Sequence, residues 1–357
     1  MNINFSTPIG HTGYGYVGLN ILKALYASNN VNNIGLLPIG HPHIETEEDA
    51  KWVNKYINNV LNLPYDSPAI KIWHQFDLLT KPGNGKYFAF PFFEIDKLPK
   101  KDLFHLNFPD NIIVSCQWAK QILVNNGVLP DIHVLPLGVD RSIFNSDLNQ
   151  LAPEQKNYIF CTIGKWEKRK AHDTIIECFN DAFSHNDNVE LWMITHNQFL
   201  NQEQEQNWIS LASNSKLSSK IKIFPRLPSH TDVAKVISYT DCGIYISRGE
   251  GWNMELLETM AMDKPVIVSN YSSHTEYCDS KNSYLVDMNE VESAVDNQWF
   301  FGDGNWGKIS QKEKDQTIDY MRHVYSNSIK TNQAGLETAK IFSWQKTAEK
   351  ILDIASK

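Results

Sequence analysis

The stretch Ser247–Asn270, SRGEGWNMELLETMAMDKPVIVSN, decides the fold. It continues an apolar run, CGIYIS (242–247), short enough and rich enough in buried-type residues to be a strand. RGEGWN (248–253) reads as a loop with glycines where the backbone must turn, and MELLETMAM (254–262) is a run of good helix formers. PVIVS (265–269) is a second buried strand. Strand, loop, helix and strand in this order make one unit of a parallel sheet wrapped by helices. Two acids mark the unit: Glu250 in the loop and Glu258 on the helix.

The same alternation extends in both directions. INF (3–5), NIGLLPI (33–39), AIKIW (69–73), KYFAF (86–90), NIIVS (111–115) and IHVLPL (132–137) are predicted strands, separated by segments with apolar residues at helical spacing. NSDLNQLAPEQKN (145–157) breaks the pattern: it is polar, carries a proline and has no apolar period. A second series follows with YIFCTIG (158–164), VELWMIT (189–195), IKIFP (221–225), CGIYIS, PVIVS and SYLVD (283–287). The expectation is two Rossmann-like α/β domains, residues 1–150 and 151–335, and a C-terminal helical segment, 336–357, in which Ser343 caps the last helix. Ligands of such sheets bind at the carboxyl ends of the strands, so the expected site is the cleft between the two sets of ends.

The bulk numbers bound the function. A chain of 357 residues suits two domains of middling size. A formal charge of -8 argues against nucleic acid as a partner, because phosphate contacts call for a basic excess. The five cysteines are scattered with no C-x-x-C, which fits buried thiols in a reducing cytoplasm better than a zinc site. MNINFSTPIG has neither a basic start nor an apolar core, and no apolar run is long enough to span a bilayer. The expectation is a cytoplasmic protein, soluble or peripheral at a membrane surface.

Three loops carry candidate chemistry. GYGYVG (13–18) matches G-x-G-x-x-G, but the first acid in the chain is Glu45, so the ribose-binding acid of a dinucleotide fold is missing and NAD is rejected. A phosphate against Gly13 and the helix start, or simply a tight strand-to-helix turn, explains the glycines equally well. In the opening stretch, an anion at the helix start would meet free N–H groups. Glu258, about one turn in, would chelate vicinal hydroxyls, and Glu250 would reach another part of the same ligand. The plain alternative, surface acids on a solvated helix, fits poorly with Glu258 between LL and TMAM. IGKWEKRKAHD (163–173) is strand, basic loop and helix. Lys165 and Lys170 are candidates to neutralise a diphosphate, whereas Lys168 and Arg169 read as solvated.

Together these residues resemble the retaining, nucleotide-sugar-dependent glycosyltransferases of family 4, with the GT-B fold. The likeness covers nearly the whole chain in order. SRGEGWNMELLETMAMDKPVIVSNYSSHTEY resembles the family's E-x7-E block, and GKWEKRKAHDTIIECF its basic block. HVLPLGVDRSIF is similar to its interdomain signature, and FSWQKTAEKIL to the C-terminal helix that crosses back to the first domain. FPFFEIDKLP resembles a segment of a subgroup. The resemblance implies that Glu258 binds the donor ribose and Glu250 the donor sugar. Gly251, Trp252, Asn253 and Met254 would offer backbone N–H groups. Lys165 and Lys170 would hold the leaving diphosphate, Gly13 would touch it from the first domain, and Arg226 in FPRLP (224–228) would lie by the base. At the reacting centre the resemblance leaves His74, Glu94 and His11 open.

The chain departs from the family pattern at Asn253 and Ala171, where glycine is usual, and at Glu255, where proline is usual. The implied donor is UDP-glucose first and GDP-mannose second, and the acceptor a glycan or glycolipid hydroxyl. No cofactor and no metal are expected, the lysines and the helix start doing the electrostatic work. Alternatives kept open are a nucleotide-sugar epimerase, a non-catalytic GT-B binding module and a transferase acting on a modified DNA base. DKLPKKDLFHLNF (96–108) reads as a solvated loop and helix, with a membrane or acceptor contact as its alternative.

Overall fold

The computed structural model describes residues 1–28, 31–44, 46–153 and 155–356. It consists of two units, Met1–Gly138 with Phe342–Lys357, and Val139–Ile341. The chain thus passes between units after Gly138 and again at Phe342, where the sequence reading put the divisions at 150 and 335. The polar turn Ser146–Leu151 belongs with the second unit, where the Asn149 amide donates to the Met262 carbonyl at 2.8 Å.

The first unit runs β1 (Asn2–Thr7), α1 (Gly13–Tyr26), β2 (Asn33–Pro38), α2 (Glu47–Asn59), β3 (Ala69–Lys71), β4 (Tyr87–Ala89), α3 (Lys100–Leu106), β5 (Asn111–Val114), α4 (Gln117–Asn125) and β6 (Asp131–Val134). Its sheet is parallel in the order β2-β1-β3-β4-β5-β6, so the winding reverses between β1 and β3. α1 lies close on β1. A Cβ at Gly15 would meet the Gly10 nitrogen at 2.7 Å, and one at Gly18 the Thr7 Oγ1 at 2.3 Å. Two glycines of the G-x-G-x-x-G motif therefore have a packing reason, while Gly13 begins α1 in the open.

The second unit runs β7 (Tyr158–Ile163), α5 (His172–Ala182), β8 (Val189–Ile194), α6 (Gln202–Ser213), β9 (Ile221–Phe224), α7 (His230–Ser238), β10 (Cys242–Tyr245), α8 (Met254–Ala261), β11 (Val266–Asn270), β12 (Tyr284–Asp287), β13 (Val291–Val295), β14 (Phe301–Gly307), α9 (Gln311–Ser326) and α10 (Gln333–Ile341). Its parallel sheet has the order β12-β11-β10-β7-β8-β9, the Rossmann order, with the reversal between β7 and β10. Every residue of β7 is buried, as a strand covered on both faces should be. Phe160, Phe179, Ile175 and Leu191 fill the core around it. Each such side chain contributes about 1.5–3 kcal/mol by leaving water.

All twelve predicted strands are present. The antiparallel pair β13–β14 is additional, and the sequence reading did not foresee it. The last helix, α11 (Trp344–Ala355), belongs to the first unit. Ser343 caps it, its Oγ accepting from the Lys346 N–H. A Cβ at Gly138 would come within 2.1 Å of the Trp344 nitrogen, so only glycine lets this helix start where it does. No helix among the described residues is long and apolar enough to cross a membrane.

Candidate functional site

In the second unit the site forms at the topological switch. The loops after β7 and β10 leave neighbouring strands on either side of the reversal, which is where a doubly wound sheet opens a crevice. Both loops are held by one side chain, Arg169. Its Nε and Nη2 donate to the two oxygens of Glu167, each at 3.1 Å. Its Nη1 donates to the Gly249 carbonyl at 2.6 Å and lies 2.8 Å from Glu250 Oε2. Arg169 is buried. The expectation of a solvated Arg169 is therefore corrected: the guanidinium is the internal clamp of the site, satisfied by two carboxylates and a carbonyl. Lys168 is half-exposed and pairs with Asp173.

Lys170 reaches Glu250 from the other side, Nζ to Oε1 at 2.9 Å, with Glu255 at 3.9 Å. Its stem lies against Gly164, where a Cβ would sit 3.2 Å from Lys170 Cε. Burial pulls the Lys170 pKa down, but Glu250 and Glu255 outweigh it and hold the ammonium above its ordinary value. Burial alone would raise the Glu250 pKa, yet Arg169, then Lys170, hold it well below the carboxylate range. Lys165 is more exposed, with Nζ 3.7 Å from Glu167 Oε2. Lys165, Lys170 and Glu250 are thus brought together as one charged constellation, with Arg169 and Glu167 added by the fold.

The helix that follows is started by an unusual residue. Asn253 has φ 72°, a left-handed conformation that asparagine tolerates better than most side chains. Its Oδ1 accepts from the Leu256 N–H at 3.3 Å, capping α8. Its Nδ2 donates to Nε2 of His274 at 2.9 Å, and His274 Nδ1 donates to the Ser269 carbonyl at 3.0 Å. These partners fix a neutral imidazole, and burial lowers its pKa to about 4. The Tyr277 hydroxyl donates to the carbonyls of Trp252 (2.8 Å) and Asn253 (3.0 Å), which pins the turn. Gly251, Trp252, Asn253 and Met254 therefore form a braced entry to α8. Ala171, also left-handed at φ 57°, starts α5 in the same manner. Both departures from glycine thus keep the glycine-type backbone.

Glu258 lies on the buried face of α8 with 4% of its surface exposed. Burial first, then Glu255 and Asp140, push its pKa well above the carboxylate range. The nearest basic atom is His230 Nδ1, at 4.0 Å. No hydrogen-bond donor of the described residues lies within bonding distance of its oxygens. This is a carboxyl that hydroxyl donors from a ligand would satisfy. Arg226 is not among these contacts: it is exposed beyond β9, where among the described residues its Nη1 donates to Gln198 Oε1 at 3.5 Å.

In the first unit the corresponding switch lies between β1 and β3. Tyr14, on the first turn of α1, packs its ring against Trp73 (5.4 Å), His74 (4.7 Å) and Phe92 (5.2 Å). Its hydroxyl donates to the Phe92 carbonyl and accepts from the Phe92 N–H, both at 3.1 Å. Burial, with a lesser push from Glu94, raises its pKa far beyond the usual phenol. His74 stacks on Phe76 at 4.9 Å. His11 instead pairs with His43, at 4.3 Å. The fold therefore gathers His74 and Glu94 around Tyr14, a residue that no motif singles out.

Residues 144–298 match the family model described as Glycosyl transferases group 1. No curated protein matches the chain by sequence. Among solved structures, a glycosyltransferase from Rickettsia africae is 18% identical, with a TM-score of 0.71 over 99% of this chain and 97% of its own. Anabaena Alr3699/HepE in complex with UDP-glucose is 14% identical, with a TM-score of 0.72 over 100% and 99%. Sucrose-phosphate synthase from Thermosynechococcus elongatus is 14% identical, with a TM-score of 0.72 over 99% and 98%. The fold is that of GT-B glycosyltransferases, and the domain match supports an enzyme of the glycosyltransferase class.

Proposed function

We propose that the chain is a retaining hexosyltransferase of family 4 that moves a sugar from a nucleotide donor to the hydroxyl of a glycan or glycolipid. The observation that carries the reading is Glu258. A buried carboxyl with its pKa driven up, and with no donor of the described residues in bonding range, sits one helix turn beyond the braced turn that follows Glu250, the acid held by Lys170. A ribose diol on Glu258, a sugar on Glu250 and a diphosphate facing Lys165 and Lys170 satisfy all three at once. Gly251 to Met254 then supply N–H groups to the sugar and the phosphate.

Breaking the anomeric C–O bond sends negative charge to the diphosphate. Lys165 and Lys170, prearranged and partly desolvated, stabilise that charge without reorganising. Arg169 and Glu167 act as positioning residues that hold Glu250. In this reading no metal is needed. Glucose from UDP-glucose is the first choice of donor, supported by the likeness to a structure holding UDP-glucose, and mannose from GDP-mannose is the second. His74 and Glu94 are the first-unit residues assigned to the reacting centre, and Gly13 is assigned to the phosphate.

The test is thermal stabilisation and donor hydrolysis across UDP-, GDP-, ADP- and TDP-sugars with EDTA present. Selective stabilisation by one nucleotide, with slow release of its sugar, is expected. No stabilisation by any of them sinks the reading.

A further inference from the structure

Beside this site the second unit shows a feature the reading above does not use. β13 and β14 form a hairpin rooted on the Glu250 loop: Gly307 N–H donates to the Arg248 carbonyl at 2.6 Å, and the Arg248 guanidinium pairs with Glu292. One face of the hairpin is buried, with Ala294, Gly304 and Trp306 inward. The other face presents Val295 opposite Phe301. At the tip, Asp296 Oδ1 accepts from the N–H groups of Gln298, Trp299 and Phe300 at 2.9, 2.7 and 2.8 Å. Phe300 packs on Trp306 at 5.2 Å. The tip is therefore locked, and what it holds outward is aromatic: Trp299 is 47% exposed and Phe301 67%. Trp299 meets Phe199 edge-on at 5.4 Å, itself 53% exposed, and Lys165 Nζ lies 5.9 Å from the Phe199 ring centre. The ledge thus begins at a lysine of the candidate site.

We propose that this ledge of Phe199, Trp299 and Phe301 binds a neutral sugar ring of the acceptor. The proposal rests on the transferase reading and names the acceptor side of the same site. Rigid exposed aromatics offer large apolar contact at small entropic cost, and a pyranose presents a C–H face to them. Groups suited to its hydroxyls are at hand: Asn201, Gln202, Glu203 and Gln206 line a shallow groove of about 520 Å³ at the start of α6, just beyond Phe199 in the chain. Charge selects against other occupants. Val291–Gly307 holds Glu292, Asp296 and Asp303 and no lysine or arginine, and the cations beside the ledge, Arg248 and Lys165, are each turned to a carboxylate, Glu292 and Glu167, so a neutral glycan is favoured over anionic lipid or nucleic acid.

The experiment uses the full chain, wild type and Trp299→Ala, with Phe301→Ser as a second variant. Both positions are exposed, so folding is retained. Fluorescently labelled protein is read on a printed glycan array, and each protein is melted with and without UDP and GDP. The expected result is wild-type binding to a defined set of neutral glycans, weakened at least about tenfold in Trp299→Ala, with unchanged nucleotide stabilisation. Glycan binding equal in wild type and variant overturns the proposal, as does a wild type that binds no glycan. Loss of nucleotide stabilisation in Trp299→Ala overturns it too, by giving the ledge to the nucleobase. A wild type stabilised by no nucleotide tells against the transferase reading instead, and the glycan readout then decides the ledge alone.

Discussion

Replacing Glu258 should move stability and ligand affinity in opposite directions. In the empty protein the carboxyl is buried, with no hydrogen-bond donor of the described residues in bonding range and with Glu255 and Asp140 adding like charge. Whether it stays ionised and pays desolvation or takes up a proton, folding bears a cost that a neutral amide of the same shape avoids. Glu258→Gln should therefore raise the melting temperature at neutral pH, by about 2–4 °C per kcal/mol recovered in a unit of this size. Bound to a ribose diol, the carboxylate would accept two hydroxyl hydrogen bonds, each worth about 1.5–3 kcal/mol to a charged acceptor. Glu258→Ala loses both, about 3–6 kcal/mol, which weakens nucleotide binding by roughly two to four powers of ten. Glu258→Gln keeps one acceptor and should lose about one to two. The assay is calorimetric titration with UDP and GDP, paired with melting curves of the empty variants. Unchanged nucleotide affinity in Glu258→Ala, or an empty Glu258→Gln less stable than wild type, refutes the reasoning.

Other outcomes follow from the clamp and the turn. Arg169→Ala removes the shared partner of two buried carboxylates, Glu167 and Glu250, leaving them Lys165 and Lys170, and should destabilise the second unit by up to about 3–5 kcal/mol, seen as a lowered urea midpoint. Arg169→Lys, which cannot form the fork, should recover only part of that. Asn253→Gly keeps the left-handed backbone and should cost only a few tenths of a kcal/mol in capping, beside about 1–3 kcal/mol for the buried His274 Nε2 left without its donor. Asn253→Val loses the same donor and should cost about 2 kcal/mol or more beyond Asn253→Gly, through both cap and strain, and a melting comparison separates them. Acid should unfold the protein early. His172 and His274, each lowered from 6.5 to about 4, are bound by protons in the unfolded chain first, so stability falls as pH drops from 6.5 towards 4, by up to about 3 kcal/mol apiece. Glu250, with its pKa depressed, adds a further loss only below about 4.5. Because the raised Glu258 pKa works in the opposite sense, adding stability as pH falls towards 4.5, chemical denaturation of Glu258→Gln at pH 7.5 and 5 isolates the histidine part, and Asn253→Gly, which frees His274 Nε2, should alter its slope.

The twin parallel sheets were legible because buried strands read as short apolar runs, and twelve of them alternate with helical spacing. Glu250, Lys165 and Lys170 were legible as the polar residues that follow two of those runs. Arg169 was not. In sequence it is one of four cations in six residues, and the burial that distinguishes it comes from Gly249 and Glu250, eighty positions away. The hairpin was missed because its inward residues are glycine, alanine and one tryptophan, while valine and phenylalanine face out, so hydrophobic alternation runs opposite to burial. Ala171 carries no sign of a left-handed backbone, since alanine rarely adopts one. Tyr14 is one tyrosine in a glycine-rich turn until β3 and β4 bring Trp73, His74 and Phe92 around it.

The raised pKa of Glu258 has a thermodynamic signature outside structure altogether. Ligand hydroxyls that donate to this carboxyl favour its ionised form, so occupancy must expel hydrogen ions into solution wherever the empty group carries them. The heat of binding then includes the ionisation heat of whatever buffer receives them. Titrations in phosphate and in Tris would give different enthalpies for one and the same affinity, and the slope between them counts the fraction of a proton released. The protein's hold on its ligand would tighten with alkalinity over that range, which makes the inside of one helix a gauge of the acidity around it.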